Sequence, residues 1–326
     1  MIRVGAIAIG RNEGARLVRC LAALRRAAGQ GARIVYVDSG STDGSTEAAR
    51  AAGAEVVTLD PGQPFTAARA RNAGIDRLRQ AGAAPDLVQF VDGDCELQPG
   101  WLPAAIAHMD AHPRAAAVCG RRREIAPEAS LWNRLCDLEW DTPVGPATAC
   151  GGDALMRMAA LDAVGGFDAR LIAGEEPEMC LRMRRRGWEI WRIDAEMTRH
   201  DAAMTRFSQH WRRMRRSGHA FAEGAAMHGG PPERHGVRGL LRALGWGLAL
   251  PLAALMGAAL AGPWALLLLL AYPAQIARMA LRGGGARFAW TRAALSVLTK
   301  FAEAQGALGY YLRRLGRGPV RLIEYK

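Results

Sequence analysis

The chain has 326 residues, half of them hydrophobic, which excludes disorder over its length and leaves room for one large α/β domain plus an appendage. Its formal net charge of +12 is unevenly placed: residues 1–200 carry 25 Arg against 26 Asp and Glu, whereas residues 201–326 carry 18 Lys and Arg against 5 acids. Six cysteines at irregular spacing, without a C-x-x-C pair, exclude a zinc ribbon, a thioredoxin-type site and a small disulfide scaffold; they read as buried thiols in a reducing compartment.

Residues 4–9 are apolar and β-branched, a first strand. No charged and apolar leader precedes it, so no cleaved signal peptide is expected and the domain should stay in the cytosol. Residues 13–28 place Leu17, Cys20, Leu21 and Leu24 at helical spacing. A second strand, 34–37, breaks at Asp38-Ser39-Gly40-Ser41-Thr42-Asp43-Gly44-Ser45, a cluster of turn and N-cap residues that opens a helix through residue 52. Strands at 55–59 and 87–91 enclose a helix at 66–81. Strands separated in this way imply right-handed βαβ units on a parallel sheet. Further on, helices are expected at 99–111, 128–139 and 177–186, with extended segments at 115–120, 154–158 and 188–193. A strongly basic helix over 205–223 precedes a Gly/Pro/Arg-rich joint.

Residues 243–277 contain 35 consecutive residues without a charge, flanked by Arg238 and Arg242 before and by Arg278, Arg282 and Arg287 after. A single bilayer crossing takes about 20 apolar residues, so the stretch is long for one span and slightly short for two. The break at Gly262-Pro263 predicts a tight hairpin of two short helices, its flanking arginines snorkelling, with both ends cytoplasmic by the positive-inside rule. The competing reading is a soluble hairpin packed on the preceding domain. Residues 288–315 are amphipathic and end near Arg313, Arg314 and Arg317, which suits an anionic leaflet. The expected divisions are therefore a domain at 1–225, a linker at 226–239, an apolar hairpin at 240–282 and a basic tail at 283–326.

The sharpest chemical signal is Val91-Asp92-Gly93-Asp94-Cys95-Glu96, at the end of an apolar strand. Two carboxylates one residue apart, with a glycine between them, point to one side and suit Mg²⁺ or Mn²⁺. The carboxyl end of a parallel strand is also where open α/β sheets bind ligands. A plain Asp-Gly turn would give the same residues. Asp38 ends an earlier strand at the same edge, and Gly10-Arg11-Asn12-Glu13 adds polar groups beside it. Glu175 and Glu176 are adjacent acids before a helix, where mutual repulsion raises one pKa or the helix dipole is simply stabilised.

Taken in order, Ile9-Gly10-Arg11-Asn12-Glu13, Val37-Asp38-Ser39-Gly40-Ser41-Thr42-Asp43, Ala70-Arg71-Asn72-Ala73-Gly74 and Val91-Asp92-Gly93-Asp94 resemble a family 2 glycosyltransferase. Gly165-Gly166-Phe167-Asp168 and Gly174-Glu175-Glu176, leading to Leu181-Arg182 and Gly187-Trp188, extend the resemblance over roughly residues 2–225. It implies a GT-A fold, Rossmann-like with a mostly parallel sheet flanked by helices, here followed by the apolar hairpin and amphipathic tail. It implies an inverting, metal-dependent sugar transfer from a nucleotide-sugar donor. Asp38 would bind the nucleoside, with Asn12, Glu13, Arg71 and Asp92 also at the donor. Asp94, with Asp92 and the late His200, would hold Mg²⁺ or Mn²⁺. Glu176 stands where the family has its catalytic base; the usual Glu-Asp is Glu-Glu here, followed by Pro177, which makes Glu175 the alternative. Arg212 and Arg213 lie where related enzymes carry an arginine-rich region that could grip a diphosphate, although the same face would suit anionic lipid.

The expected partners are a nucleotide-sugar, a saccharide or polyprenyl-phosphate-linked acceptor and membrane lipid, without nucleic acid. The expected place is the cytoplasmic face of the inner membrane, in surface polysaccharide or glycolipid synthesis. Two alternatives stand beside this reading. A nucleotidyltransferase shares a related sheet, but Gly10–Gly14 offers one Arg and no Lys. A basic membrane- or nucleic-acid-binding protein would rest on the charge alone.

Overall fold

Short β-branched runs alternating with amphipathic helices build one half of the sheet. In the computed structural model, which describes residues 2–29, 31–80, 82 and 84–316, β1 (Val4–Gly10) leads through α1 (Ala15–Ala28) to β2 (Ile34–Asp38). Then α2 (Ser45–Ala51), β3 (Glu55–Thr58), α3 (Ala67–Gln80) and β4 (Leu87–Asp92) follow. These strands pair in parallel in the order β3-β2-β1-β4. β1 and β2 are covered on both faces, which is why they read as unbroken apolar runs rather than as an alternation. Gly74 allows α3 to lie directly on β1, since a Cβ there would stand 2.5 Å from Ile7 Cγ2.

Beyond Asp92 the sheet becomes mixed. β5 (Cys95–Leu97), α4 (Trp101–Ala111), β6 (Ala115–Glu124), α5 (Leu131–Glu139) and β7 (Gly145–Ala147) come next. β8 (Ala154–Arg157), α6 (Met158–Val164), α7 (Glu175–Arg185) and β9 (Glu189–His200) complete the first unit. The order across the sheet is β3-β2-β1-β4-β8-β6-β9-β5, with β7 paired to β9. β8 runs antiparallel to β4 and β6, and β5 and β7 run antiparallel to β9. β6 and β9 share the longest parallel ladder. Reading the sequence misses β5, β7 and α6, because three-residue strands and a two-turn helix hold too few periods to register. It also stops β9 short at residue 193, although the strand continues to His200. At the core, Trp101 is fully buried and its indole N–H donates to Gln89 Oε1 at 2.7 Å, which satisfies both polar groups.

The chain divides into two compact units, Met1–Thr205 and Arg206–Lys326. The boundary falls before the basic helix rather than after it, because α8 (Phe207–His228) packs along α12 (Arg287–Gly316). Between them lie α9 (Val237–Leu244), α10 (Leu250–Ala261) and α11 (Ala271–Arg282). The helices α8 and α12 touch backbone to backbone: a Cβ on Gly218 would meet Glu303 O at 1.9 Å, and one on Gly306 would meet Arg215 O at 1.9 Å.

A π-helical turn, Gly245–Ala249, joins α9 to α10, so Val237–Ala261 forms one arm of 25 residues. After Gly262, at φ +104°, a 3-10 segment leads into α11 and gives a second arm, Pro263–Arg282, of 20 residues. Each arm is therefore long enough for a crossing, since residues outside the uncharged stretch extend both helices. Their apolar side chains are left bare, with Leu260 84% and Trp264 78% exposed. Arg317, the last of the tail arginines, lies outside the described residues.

Candidate active site

The carboxyl ends of β1, β2 and β4 set the first side of the site. Gly10 is in register with Asp38, and Ile9 with Asp92, so the two acids flank β1 at one sheet edge, about 10 Å apart at two strand spacings. Asp38 is buried and already engaged: Oδ2 accepts the amides of Gly40 and Ser41, both at 2.9 Å, and Oδ1 accepts the Tyr36 hydroxyl at 3.1 Å. Asn12, at φ +55°, accepts the Thr42 amide at 2.7 Å, while its own amide donates to Ser41 Oγ at 2.9 Å. These bonds stitch the β1–α1 loop to the β2–α2 loop. Glu13 pairs with Arg16 at 2.9 Å.

Asp92 and Asp94, which the strand spacing aims at one cation, bond different partners. The chain turns between β4 and β5 at these residues, so the two-residue alternation fails there. Asp92 is held by Arg71 at 2.9 Å and by Arg122 at 3.1 Å. Burial opposes its ionisation, but the two guanidinium groups outweigh that and keep its carboxyl well below the usual range. Asp94 instead places Oδ2 3.3 Å from His200 Nε2, at the end of β9.

Arg71, on α3, is buried and also donates to Glu175 Oε1 at 2.7 Å, and its guanidinium lies 5.5 Å from the centre of the Phe167 ring. Arg122, on β6, reaches Asp153 at 2.6 Å and lies 5.4 Å from the centre of the Trp140 ring, which packs at right angles to His200. Asp153 further accepts the Asp92 amide and the Thr198 hydroxyl, at 2.9 and 2.8 Å. The result is one chain of charges, Glu175–Arg71–Asp92–Arg122–Asp153, buried at both ends and partly exposed at Asp92. Three carboxylates against two guanidinium groups leave it negative, and Asp94 stands beside it.

Reading the sequence misses Arg122, Asp153 and Trp140. Their only signals were the Arg121-Arg122-Arg123 run at a strand end and an acid after Gly151-Gly152. Gly152 leaves room for this arrangement, since a Cβ there would lie 2.8 Å from both Arg71 Nη2 and Asp92 Oδ2 and displace them.

Burial pushes the His200 pKa down and favours the neutral imidazole, against the opposing pull of the Glu124 carboxylate 3.8 Å from Nδ1. Asp94, His200 and the buried Cys95 bring their ligand atoms within 4.8 Å of one another. A carboxylate beside a neutral imidazole suits Mn²⁺, whereas the Cys95 thiol is held protonated, chiefly by burial. The donor set and the surplus of negative charge thus fit a divalent cation.

Glu175 and Glu176 open α7 and diverge. Glu175 goes to Arg71, whereas Glu176 Oε1 accepts the Cys150 amide at 2.6 Å and the thiols of Cys150 and Cys180 at 3.1 and 2.9 Å. Burial pushes the Glu176 carboxyl up, more than these hydrogen bonds pull it down. Arg212 and Arg213 lie on α8, in the second unit.

The mixed sheet flanked by helices is of the GT-A type found in nucleotide-sugar transferases. Residues 7–163 match the family model Glycosyl transferase family 2, and that part of the chain is a domain of that family. Among known proteins, it is 26% identical over 203 residues to the pre-mycofactocin glycosyltransferase of Mycobacterium tuberculosis, covering 59% of this chain and 41% of that one. To succinoglycan biosynthesis protein ExoA of Rhizobium meliloti it is 27% identical over 176 residues, covering 50% and 52%. The chain thus spans about half the length of the curated relatives it matches. In fold it is similar to the mannosyltransferase PcManGT of Pyrobaculum calidifontis, solved with GDP-Man and Mn²⁺, with a TM-score of 0.61, 21% identity, and 94% and 87% of the two chains covered. Glucosyl-3-phosphoglycerate synthase of Mycobacterium tuberculosis, solved with Mn²⁺ and UDP, gives a TM-score of 0.50 at 18% identity, covering 71% and 82%.

Proposed function

We propose that this protein is a membrane-held glycosyltransferase that moves a sugar, with inversion, from a nucleoside-diphosphate sugar to an acceptor hydroxyl on a saccharide or polyprenyl-phosphate-linked lipid. The observation that carries the reading is the buried Asp94–His200 pair beside a net-negative charge chain, at the sheet edge that also presents Asp38. The Mn²⁺ bound in the solved relatives supports it. Asp94 and His200 would hold Mn²⁺ or Mg²⁺, which when bound offsets the charge that develops on the leaving diphosphate.

The remaining roles belong to the chain's own residues. Asp38, fixed by its loop amides, presents a rigid acceptor to the nucleoside, and Asn12 fixes the neighbouring loop. Arg71 and Arg122 hold Asp92, which makes it a positioning residue rather than an open metal ligand. Of the two adjacent acids, Glu176 is the better base. Glu175 is spent on Arg71, while burial raises the proton affinity of Glu176 toward the range in which it can take a proton from the acceptor hydroxyl. The bare apolar arms and the basic second unit support a place at the cytoplasmic face of a membrane and an acceptor that is itself lipid-borne.

The test is a panel of nucleotide-sugars with Mn²⁺ or Mg²⁺, read first as thermal stabilisation and then as release of nucleoside diphosphate. A preferred donor, stabilisation lost in Asp94→Ala, and a product of inverted anomeric configuration are expected. Pyrophosphate release from a nucleoside triphosphate, or full activity of Asp94→Ala with chelator present, would overturn the reading.

A further inference from the structure

Three ligand atoms outside the charge chain, from Cys150, Glu176 and Cys180, lie within 4.8 Å of one another. Cys150 Sγ and Cys180 Sγ are 3.7 Å apart, and Glu176 Oε1 is 3.1 Å from the first and 2.9 Å from the second. All three side chains are buried, yet Cys150 borders the exposed Gly151 at the end of a largely exposed stretch, 141–151.

With zinc–sulfur bonds of about 2.3 Å and zinc–oxygen bonds of about 2.0 Å, a tetrahedral ion sets two thiolates about 3.8 Å apart and each thiolate about 3.5 Å from a carboxylate oxygen. The sulfur separation already matches. The two sulfur–oxygen distances are those of S–H···O hydrogen bonds and must open by about 0.5 Å, which small side-chain rotations supply. Two thiolates and a carboxylate are a soft donor set, which favours Zn²⁺ or Cd²⁺ over Mg²⁺ or Mn²⁺. This is the opposite preference from that of Asp94 and His200.

We propose that Cys150, Cys180 and Glu176 form a second cation site, selective for thiophilic divalent ions of the Zn²⁺ class. On binding, both S–H bonds break, two sulfur–metal bonds and one oxygen–metal bond form, and the two protons leave to solvent. Resting on the reading of Glu176 as the base, occupancy of this site withdraws that carboxylate from proton transfer and inhibits the enzyme. Cys119 is buried in the same neighbourhood but lies outside the three-atom set.

The test uses the full chain, reduced and freed of metal in detergent, titrated with Cd²⁺ and followed by the ultraviolet sulfur-to-cadmium charge-transfer band. A saturable band at one equivalent is expected, lost in the Cys150→Ser/Cys180→Ser double variant and kept in Cys95→Ser and Cys119→Ser. A band that survives undiminished in the folded double variant overturns the proposal. Should circular dichroism show the double variant unfolded, Cys150→Ser and Cys180→Ser alone replace it. Each should roughly halve the band, which scales with the number of thiolates, and an unchanged band in both overturns the site. Sugar transfer measured alongside separates the two readings. Inhibition by Zn²⁺ that chelator reverses supports both, whereas a band lost in the variant without inhibition in the wild type keeps the cation site and removes Glu176 from proton transfer.

Discussion

Arg71 shows how much one side chain carries here. It is buried, and it neutralises Asp92 from β4 and Glu175 from α7 at once. Removing it leaves two acids without their shared cation, so Arg71→Met should cost about 3–5 kcal/mol in urea denaturation. Glu176 obeys a different logic. Its raised pKa means that the folded protein holds the proton more tightly than the unfolded chain does. Its contribution to stability is then complete below the unfolded carboxyl range and is lost as pH rises through the raised value. Catalysis needs the ionised form, so activity should rise over the window in which stability falls. Glu176→Gln should remove that pH dependence of stability and lower kcat about 10²–10⁴-fold, while leaving thermal stabilisation by donor and Mn²⁺ intact. Cys180→Ala removes a hydrogen bond that lowers the carboxyl pKa, and should move the acid limb of the rate profile to higher pH. Asp38, Asp94 and the two glutamates could be named as candidates because their neighbours in sequence form recognisable clusters, and His200 because it follows the last expected strand. Arg122, Asp153 and Trp140 were not, since each acts through partners supplied by distant strands.

At the level of elements, the parallel half of the sheet could be read from runs such as Ile34–Asp38, which are apolar because both faces are covered. The antiparallel half could not, because pairings such as β8 between β4 and β6 are set by tertiary contacts and leave no local period. The α8–α12 crossing was equally invisible, although it depends on single glycines. Gly218→Ala and Gly306→Ala each put a methyl group into the opposing backbone, and each should destabilise the second unit by about 1–3 kcal/mol, read as a lower melting temperature in detergent.

For the molecule as a whole, the excess of positive charge in residues 201–326 and the bare apolar arms occur in the same unit. The two features predict different chemistry at a membrane. Attraction between arginines and anionic headgroups is screened by salt, whereas burial of apolar side chains in the bilayer is not. The protein should therefore float with vesicles and stay bound through a high-salt wash. A double substitution at the tip, Leu260→Asp/Trp264→Asp, should convert this into binding that salt reverses. Release of the unaltered protein by salt alone would show that the arms do not enter the bilayer. The apolar stretch and its central break were plain in the sequence; the length of each arm was not, because the helices run on through the flanking arginines.

The five-membered charge chain draws its members from α3, β4, β6, α7 and the segment before β8. Its evolutionary consequence is that heritable change at this node has to arrive in compensated steps. A lineage that loses one cation becomes viable again by neutralising an acid elsewhere in the fold, so second-site suppressors of an Arg71 lesion should map to Glu175 or Asp92, 104 and 21 residues away in the chain and adjacent in space.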